Sequence, residues 1–257
     1  MQDRLRELLD EHQSLFGVIC RDPTMIELEL IALAGYHVVF LDLEHGSQSD
    51  SQAVQLTRTI SHLGMVPLVR IPECSRSHVQ VLLDGGVQIL ALPDVRSAQQ
   101  AAGFVKLGKY PPLGQRGVCS SSANFEYCLS NPEHALRTAN EATRLMVMIE
   151  SDEGFAALDA ILKVEGIDIL TVGPADWASH SGIYGENAKA QLAPKIEHVL
   201  RAAIGAGKIT THAVFNPEDV AHFRELGVHI IFVGVDVNLK RQMLKDTLNR
   251  FHDALST

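Results

Sequence analysis

Eight short runs of apolar, largely β-branched residues recur along this chain, at 16–20, 38–43, 66–71, 89–92, 145–149, 167–172, 209–214 and 230–234. Several are apolar almost throughout (HVVFLDL, VPLVRI, RLMVMIE, HIIFVGV) instead of alternating with polar residues. Strands that read this way are buried on both faces, as in a parallel sheet, whereas a sheet wetted on one side alternates. Stretches of helical period lie between them and predict helices at 24–34, 51–62, 75–83, 97–106, 154–164, 195–205 and 217–226. Gly35, Gly64 and Gly227 follow such stretches, where a left-handed residue ends a helix.

Eight strand–helix units in 257 residues predict an α/β fold of one kind, a single (β/α)8 TIM barrel forming one domain over 1–257. An open, doubly wound sheet usually carries a Gly-rich phosphate turn after its first strand, and Cys20-Arg21-Asp22-Pro23 is not one. No linker, low-complexity tract or longer repeat interrupts the series. The irregular segment 108–132, after the fourth run, is long enough to be expected as a functional lid or interface element.

The 22 Lys and Arg against 31 Asp and Glu leave a net charge of −9. That balance argues against nucleic acid, whose partners cluster basic residues to neutralise phosphates. It leaves room for an anionic metabolite met by a few placed cations. Cys20, Cys74, Cys119 and Cys128 form no CxxC pair. Cys20 reads as a small core residue and the others as loop or surface thiols, a usage that suits a reducing compartment. Residues 1–13 are charged and helical in pattern, unlike a secretion signal, and no apolar stretch reaches the 18 or so residues of a membrane span. A soluble, cytoplasmic protein with no membrane partner is expected.

Barrel active sites form at the C-terminal ends of the strands, so polar residues at those points are the candidates. The second run ends in Asp42-Leu43-Glu44-His45, the third in Arg70, the fourth in Pro93-Asp94, the fifth in Glu150, and the sixth is followed by Gly173-Pro174-Ala175-Asp176. Glu150 and Asp176, carboxylates from neighbouring strands, suit a hard divalent cation such as Mg²⁺ or Mn²⁺, with Co²⁺ also considered. Alternatively Glu150 pairs with a buried Arg and Asp176 caps the following helix. Arg70 offers a planar fork of donors for a carboxylate or enolate oxygen; it equally suits an ion pair with Asp42 or Glu150. His45 could serve as a general base oriented by Asp42 or Glu44, or be a solvated loop residue. The turn from Gly173 through Ala175 is an anion cradle or an ordinary strand-to-helix turn. Trp177 and Tyr184 are expected to line the site. His62, His78, His134, His198 and His222 are expected at the surface; His180 and His212 lie nearer the rim without an assigned role.

At these residues the chain resembles the HpcH/HpaI class II aldolases, over nearly its whole length. The likeness rests on Phe16-Gly17, Asp42-x-Glu44-His45, Val69-Arg70-Ile71-Pro72, Leu83-Asp84-x-Gly86, Tyr110-Pro111-Pro112-x-Gly114-x-Arg116-Gly117, Ile149-Glu150 and Gly173-Pro174-Ala175-Asp176 with Ser181-Gly182. The resemblance implies a hexamer, a trimer of dimers, that binds a divalent metal through Glu150 and Asp176 and cleaves a 2-keto-4-hydroxy acid reversibly to pyruvate and an aldehyde. It implies that Arg70 steadies the enolate oxygen and that the backbone of Gly173, Pro174 and Ala175 holds the substrate carboxylate. His45 would handle the proton, supported by Asp42 and by Asp84 of a neighbouring subunit. No lysine stands where a Schiff base would need it. Met148 occupies a position where the family commonly has Gln, which keeps two alternatives open. One is a condensing enzyme or oxaloacetate decarboxylase of the same family, including a citrate-forming one, with Lys106, Lys109 and Arg116 as candidate contacts for a CoA phosphate. The other is a metabolite-binding barrel without turnover.

Overall fold

The computed structural model describes residues 3–128 and 130–255. Its eight strands are β1 (Leu15–Cys20), β2 (Val38–Asp42), β3 (Val66–Arg70), β4 (Ile89–Leu92), β5 (Arg144–Ile149), β6 (Ile169–Val172), β7 (Ile209–Ala213) and β8 (Ile230–Val235). All pair in parallel with their chain neighbours, and β8 returns to β1, so the sheet closes into a (β/α)8 barrel. The eight expected runs each became a strand, to within two residues at either end.

Helix α1 (Arg4–Glu11) closes the N-terminal end of the barrel, where Leu5 and Leu8 pack on the interior residues. The crossover helices are α2 (Met25–Leu33), α3 (Asp50–His62), α4 (Arg76–Asp84), α5 (Ala98–Gly108), α6 (Pro132–Ala142), α7 (Asp152–Ala156), α8 (Leu158–Leu162), α9 (Pro174–His180), α10 (Gly185–Gly205) and α11 (Val220–Leu226). A last helix, α12 (Asp236–Leu255), follows β8. Thr24 and Ser49 start α2 and α3 with reciprocal capping boxes, each satisfying two otherwise unpaired donors. Gly35, Gly64 and Gly227 all adopt positive φ, as their positions predicted.

Two helix expectations needed revision, and of the two roles expected for 108–132 the lid is not formed. The helix foreseen at 154–164 is two short helices that meet at Ala157. The helix foreseen at 195–205 begins ten residues earlier, at Gly185, and runs through Pro194. The segment 108–132, in which Leu129 lies outside the described residues, contains a 3₁₀ turn (Ala123–Phe125) and does not cover the rim. It lies at the opposite end: Lys109 donates to the carbonyls of Asn140 and Thr143 and pairs with Asp168 at 3.1 Å, all beside the N-terminal ends of β5 and β6. Arg116 pairs at 2.7 Å with Asp84, the last residue of α4.

The period of two in a strand sorts side chains into two layers. Val38 and Phe40, Val66 and Leu68, Ile89 and Ala91, Met146 and Met148, and Ile230 and Phe232 fill the barrel interior. Val39, Leu41, Val69, Leu90, Val147 and Leu170 face the helices. The Phe232 ring crosses the interior at the level of Gly17, where a Cβ would come within 2.5 Å of it. Gly17 is therefore needed for space. Continuing the inward series by two places gives Asp42 and Arg70 at the last positions of β2 and β3 and Glu150 just after β5, where the apolar filling ends.

Burial pulls the Lys109 ammonium below its ordinary pKa, against the charge and hydrogen bond of Asp168. Lys109→Met should leave Asp168, which still accepts the Leu145 N–H, without a counter-charge and destabilise the protein by about 3 kcal/mol. A chain of this size should then melt roughly 6–12 °C lower, read by circular dichroism.

Candidate active site at the strand ends

The cavity at the C-terminal ends of the strands has a volume of about 630 Å³. Ile19, Phe40, Met146, Met148 and Phe232 form an apolar floor, and the polar residues stand around it. Asp42, His45, Arg70, Glu150, Gly173, Pro174, Ala175 and Asp176 all line it. The structure thus brings together every predicted site residue except Asp84.

Asp42 and Arg70 are register partners at the ends of β2 and β3. The Arg70 fork meets the carboxylate with two bonds, Nε to Oδ1 at 2.9 Å and Nη2 to Oδ2 at 2.7 Å. Its Nη1 lies 3.1 Å from Glu44 Oε2. Of the two readings open for Arg70, the ion pair with Asp42 is what forms, with the guanidinium still facing the cavity. Burial opposes ionisation of Asp42, but the hydrogen bonds and charge of Arg70 and the His45 backbone N–H outweigh it and hold the carboxyl below its usual range. Burial pushes Glu44 above its ordinary value, against the pull of Arg70 and His45.

The expected support of His45 by Asp42 runs through the backbone. Asp42 Oδ1 accepts the N–H groups of Glu44 at 3.1 Å and His45 at 3.2 Å, which shapes the turn. The half-exposed imidazole lies 3.9 Å from Glu44, Nε2 to Oε2. It is placed by the turn and left free to reach into the cavity.

Glu150 is 2 % exposed, although its backbone ends an apolar strand. Oε1 accepts the N–H of Asp94 at 2.6 Å, while Oε2 is buried without a partner. Two backbone features make this arrangement fit. Asp94 takes a left-handed conformation (φ 46°), sparsely populated for a residue with a side chain, and its own carboxylate pairs with Arg96 at 2.7 Å. Gly173 lies against the free oxygen so closely that a Cβ there would come within 1.8 Å of Oε2. Any other residue at 173 would displace the carboxylate. Burial, with the nearby charges of Asp176 and Glu44, pushes the Glu150 pKa up to about 7, against the Asp94 N–H and the charge of Arg70.

Asp176 is in the first turn of α9, whose N-terminal end at Gly173 has no side-chain cap. The first-turn N–H groups therefore remain available to an anion. Among the described residues no group of three or more His, Cys, Asp and Glu side chains could hold a metal ion. Glu150 and Asp176 would supply two oxygens and leave the remaining positions to water and substrate, which is the coordination habit of Mg²⁺ and Mn²⁺. An unpaired buried carboxylate oxygen is the donor such an ion requires, so these residues fit it. Among the described residues no lysine lines the cavity.

Other expected residues fall elsewhere. Asp84 is bound within its own chain by Arg116 and by Gln80 at 2.6 Å. Trp177 is fully buried, donates to Asp152 at 3.0 Å and packs on Phe155; it does not line the site, and neither does the exposed Tyr184. Lys109 and Arg116 are buried in ion pairs at the far end of the barrel, and Lys106, near the C-terminal end of α5, lies outside the cavity. None of the three is placed for a ligand at this rim. His62, His134, His198 and His222 are exposed as expected; His78 is half-buried and pairs with Asp50 at 2.8 Å. His180 Nδ1 lies 3.3 Å from the Glu150 carbonyl. Three polar lining residues were not anticipated: Arg21, Thr171 and Thr211. Arg21 follows the end of β1 as directly as Glu150 follows β5, so the same strand-end rule finds it. Thr171 and Thr211 are register partners on the inward faces of β6 and β7, and Thr171 Oγ1 donates to the Thr211 carbonyl at 2.8 Å.

The HpcH/HpaI aldolase/citrate lyase family matches residues 14–242. A hydroxypyruvate/pyruvate aldolase of Delftia acidovorans is 31 % identical over 245 residues, covering 95 % of this chain and 91 % of that protein. A 2-keto-3-deoxy-L-rhamnonate aldolase of Salmonella gallinarum is 31 % identical over 260 residues, covering 100 % and 96 %. Among solved structures, citrate synthase SbnG superposes with a TM-score of 0.89 at 27 % identity, covering all of both chains. An HpcH/HpaI aldolase from Desulfitobacterium hafniense gives 0.88 at 28 %, covering 96 % of each.

A carboxyl whose pKa rises on folding holds its proton longer in the folded state. Its contribution to stability is therefore intact below the ordinary value of 4.5 and declines as pH rises towards 7. The loss is on the order of 3 kcal/mol when no cation is bound. With a chelator present, Glu150→Gln should melt several degrees above the parent protein at pH 8 and level with it at pH 4.5. Equal melting temperatures at both pH values would contradict the burial argument.

Proposed function

Because the chain belongs to the HpcH/HpaI aldolase/citrate lyase family, we propose that its rim site cleaves a 2-keto-4-hydroxy acid reversibly to pyruvate and an aldehyde, as a divalent-metal-dependent carbon–carbon lyase. The observation that carries this reading is the buried, unpaired Oε2 of Glu150, set beside a guanidinium in a cavity without lysine. Glu150 and Asp176 are the metal ligands in this reading, with Mg²⁺, Mn²⁺ or Co²⁺ as the ion. The bound ion would act as a Lewis acid, drawing off the charge that develops beside the keto group when the carbon–carbon bond breaks.

The chain's own residues do the rest. Arg70 is anchored on two sides by Asp42 and Glu44, so its donors need no reorganisation to meet a developing oxyanion. The first turn of α9, following Gly173 and Pro174, receives the substrate carboxylate on backbone N–H groups, those of Ala175 and beyond. His45 takes the proton of the substrate hydroxyl during cleavage and returns it in the reverse direction. The apolar floor from Phe40 to Phe232 excludes water beneath the reacting carbons.

We assign the working form as a homo-oligomer, with the hexamer as its expected size. Val237, Leu239, Met243, Leu244, Leu248 and Phe251 leave an apolar face of α12 exposed, which another copy would cover. Assembly would also let Asp84 reach a neighbouring subunit's His45, a role it cannot fill in its own chain. Among the described residues no helix is long and apolar enough to cross a membrane. The free thiols of Cys20, Cys74, Cys119 and Cys128 suit a cytoplasmic setting.

One observation favours a second reading. Met148 lines the cavity two residues before Glu150, on the same inward face, and offers a substrate oxygen no hydrogen-bond donor. Taken with the similarity to citrate synthase SbnG, this suits a condensing reaction or decarboxylation of oxaloacetate. A CoA thioester would need cations at the rim, where among the described residues Arg21 and Arg70 are the only lysine or arginine residues lining the cavity. Cleavage is therefore the better-supported direction.

The test is pyruvate release from a panel of 2-keto-4-hydroxy acids and from oxaloacetate, with Mg²⁺, Mn²⁺ or Co²⁺ and with a chelator. Chelator-sensitive release from the hydroxy acids is expected; release from oxaloacetate alone would select the second reading. Silence on every substrate from folded, metal-loaded protein would select a binding protein without turnover. Glu150→Ala and Asp176→Ala should lose both the metal and turnover. Arg70→Ala should keep the metal and lose roughly 10²–10³-fold in kcat. A fully active, metal-free Glu150→Ala protein would overturn the site.

A further inference from the structure

A second cavity, of about 600 Å³, lies outside the barrel wall between α10 and the β7–α11 connection. Its walls are apolar, with Ala188, Leu192 and Ile196 from α10 opposite Phe223 of α11. His212, the fourth residue of β7, enters it from the strand. Thr211 and Ala213 on either side line the rim cavity, so His212 points the other way, into the helix layer. The residue is 5 % exposed, its ring centre is 4.4 Å from that of Phe223, and its Nδ1 is buried without a hydrogen-bond partner.

Filling such a space with hydrocarbon alone would leave a polar nitrogen unsatisfied, at a cost comparable to a lost hydrogen bond. The structure meets Phe223 with an imidazole where phenylalanine would pack without that cost. Burial drives the imidazole pKa down to about 4, so the ring is neutral at physiological pH. Of the charged residues at the mouth, Glu197 is matched by Arg201 at 2.6 Å and by His222 at 3.6 Å, and Lys189 and Asp219 stand beside them. Volume, apolar walls and one convergent polar group are the usual attributes of a small-molecule pocket.

We propose that this cavity is a second ligand site, which takes an uncharged aromatic molecule and recognises its hydroxyl group through Nδ1 of His212. A hydroxyl both donates and accepts, so it satisfies either tautomer of the neutral ring. The cavity shares Pro174, Ala175, Ala213 and Phe215 with the rim site, so its occupant rests against the turn that presents Asp176. The assignment is independent of the reaction proposed above.

Phenol and toluene are the probes, because they differ only in the group that Nδ1 would recognise. Their binding is followed by ligand-observed NMR titration of the full chain, with melting temperature as the control for folding. The parent protein should bind both saturably, phenol about tenfold more tightly, the size of one hydrogen bond. His212→Phe should melt no lower than the parent, bind toluene unchanged and lose the preference for phenol. Ala188→Trp should exclude both probes; if it does not fold, Ala193→Trp at the exposed edge of the cavity takes its place. No saturable binding of phenol to the parent, a preference that survives in His212→Phe, or binding unaffected by the tryptophan would each overturn the proposal.

Discussion

An ionised carboxylate enclosed in protein costs several kcal/mol unless something replaces the water it gave up. Glu150 receives one backbone N–H, from Asp94, and a hydrogen bond to a charged group returns only about 1.5–3 kcal/mol. Arg70 stands near enough to favour the charged form but is committed to Asp42, and Asp176 and Glu44 oppose it. The account for Glu150 therefore closes only with a proton or a cation on Oε2. The surrounding backbone is shaped to that requirement. Asp94 holds a left-handed conformation that aims its N–H at one oxygen, and Gly173 gives up a side chain so that the other can occupy its place. Strain and missing side chains concentrate where function needs them and stability does not.

The two readings of Arg70 turn out to be compatible. Its bidentate bond to Asp42 removes the rotamer freedom of a long side chain before any ligand arrives. An arginine free in the cavity would lose that freedom on binding and weaken the contact it makes. Asp42 in turn is fixed by the backbone N–H groups of Glu44 and His45, so one carboxylate organises both the cation and the turn that carries the imidazole. Removing Asp42 would therefore disturb two functional groups without touching the substrate.

The barrel was legible because buried parallel strands leave continuous apolar runs, which polar or half-wetted segments do not imitate. Asp42, Arg70 and Glu150 stood out for the same reason: charge interrupts an apolar run only where the filling of the barrel ends. Residues whose placement depends on tertiary partners were misjudged. Trp177 follows Asp176 directly, yet the helical turn carries it to the outer layer, against Phe155. Lys109 and Arg116 are cations in a long loop, and their spacing says nothing of Asp168 and Asp84, which draw that loop to the stable end of the barrel. Helix α10 starts ten residues before the expected 195 and accommodates Pro194 inside it.

Strand β7 shows how a period of two can serve two cavities at once. Thr211 faces the rim site and His212 the helix layer, and each keeps a buried polar atom without a partner, Oγ1 on one side and Nδ1 on the other. Most inward and outward positions of this barrel are aliphatic, and valine or isoleucine in β7 would remove both unsatisfied groups at once. Their presence on adjacent residues cannot be a packing requirement, since the strand is held by its ladder to β6 and β8 whatever its side chains. Polar atoms kept in an apolar wall against the interest of stability are expected where a ligand supplies the missing partner. By that reasoning β7 separates two binding surfaces, and the turn from Gly173 to Asp176 is where a change at one would be felt at the other.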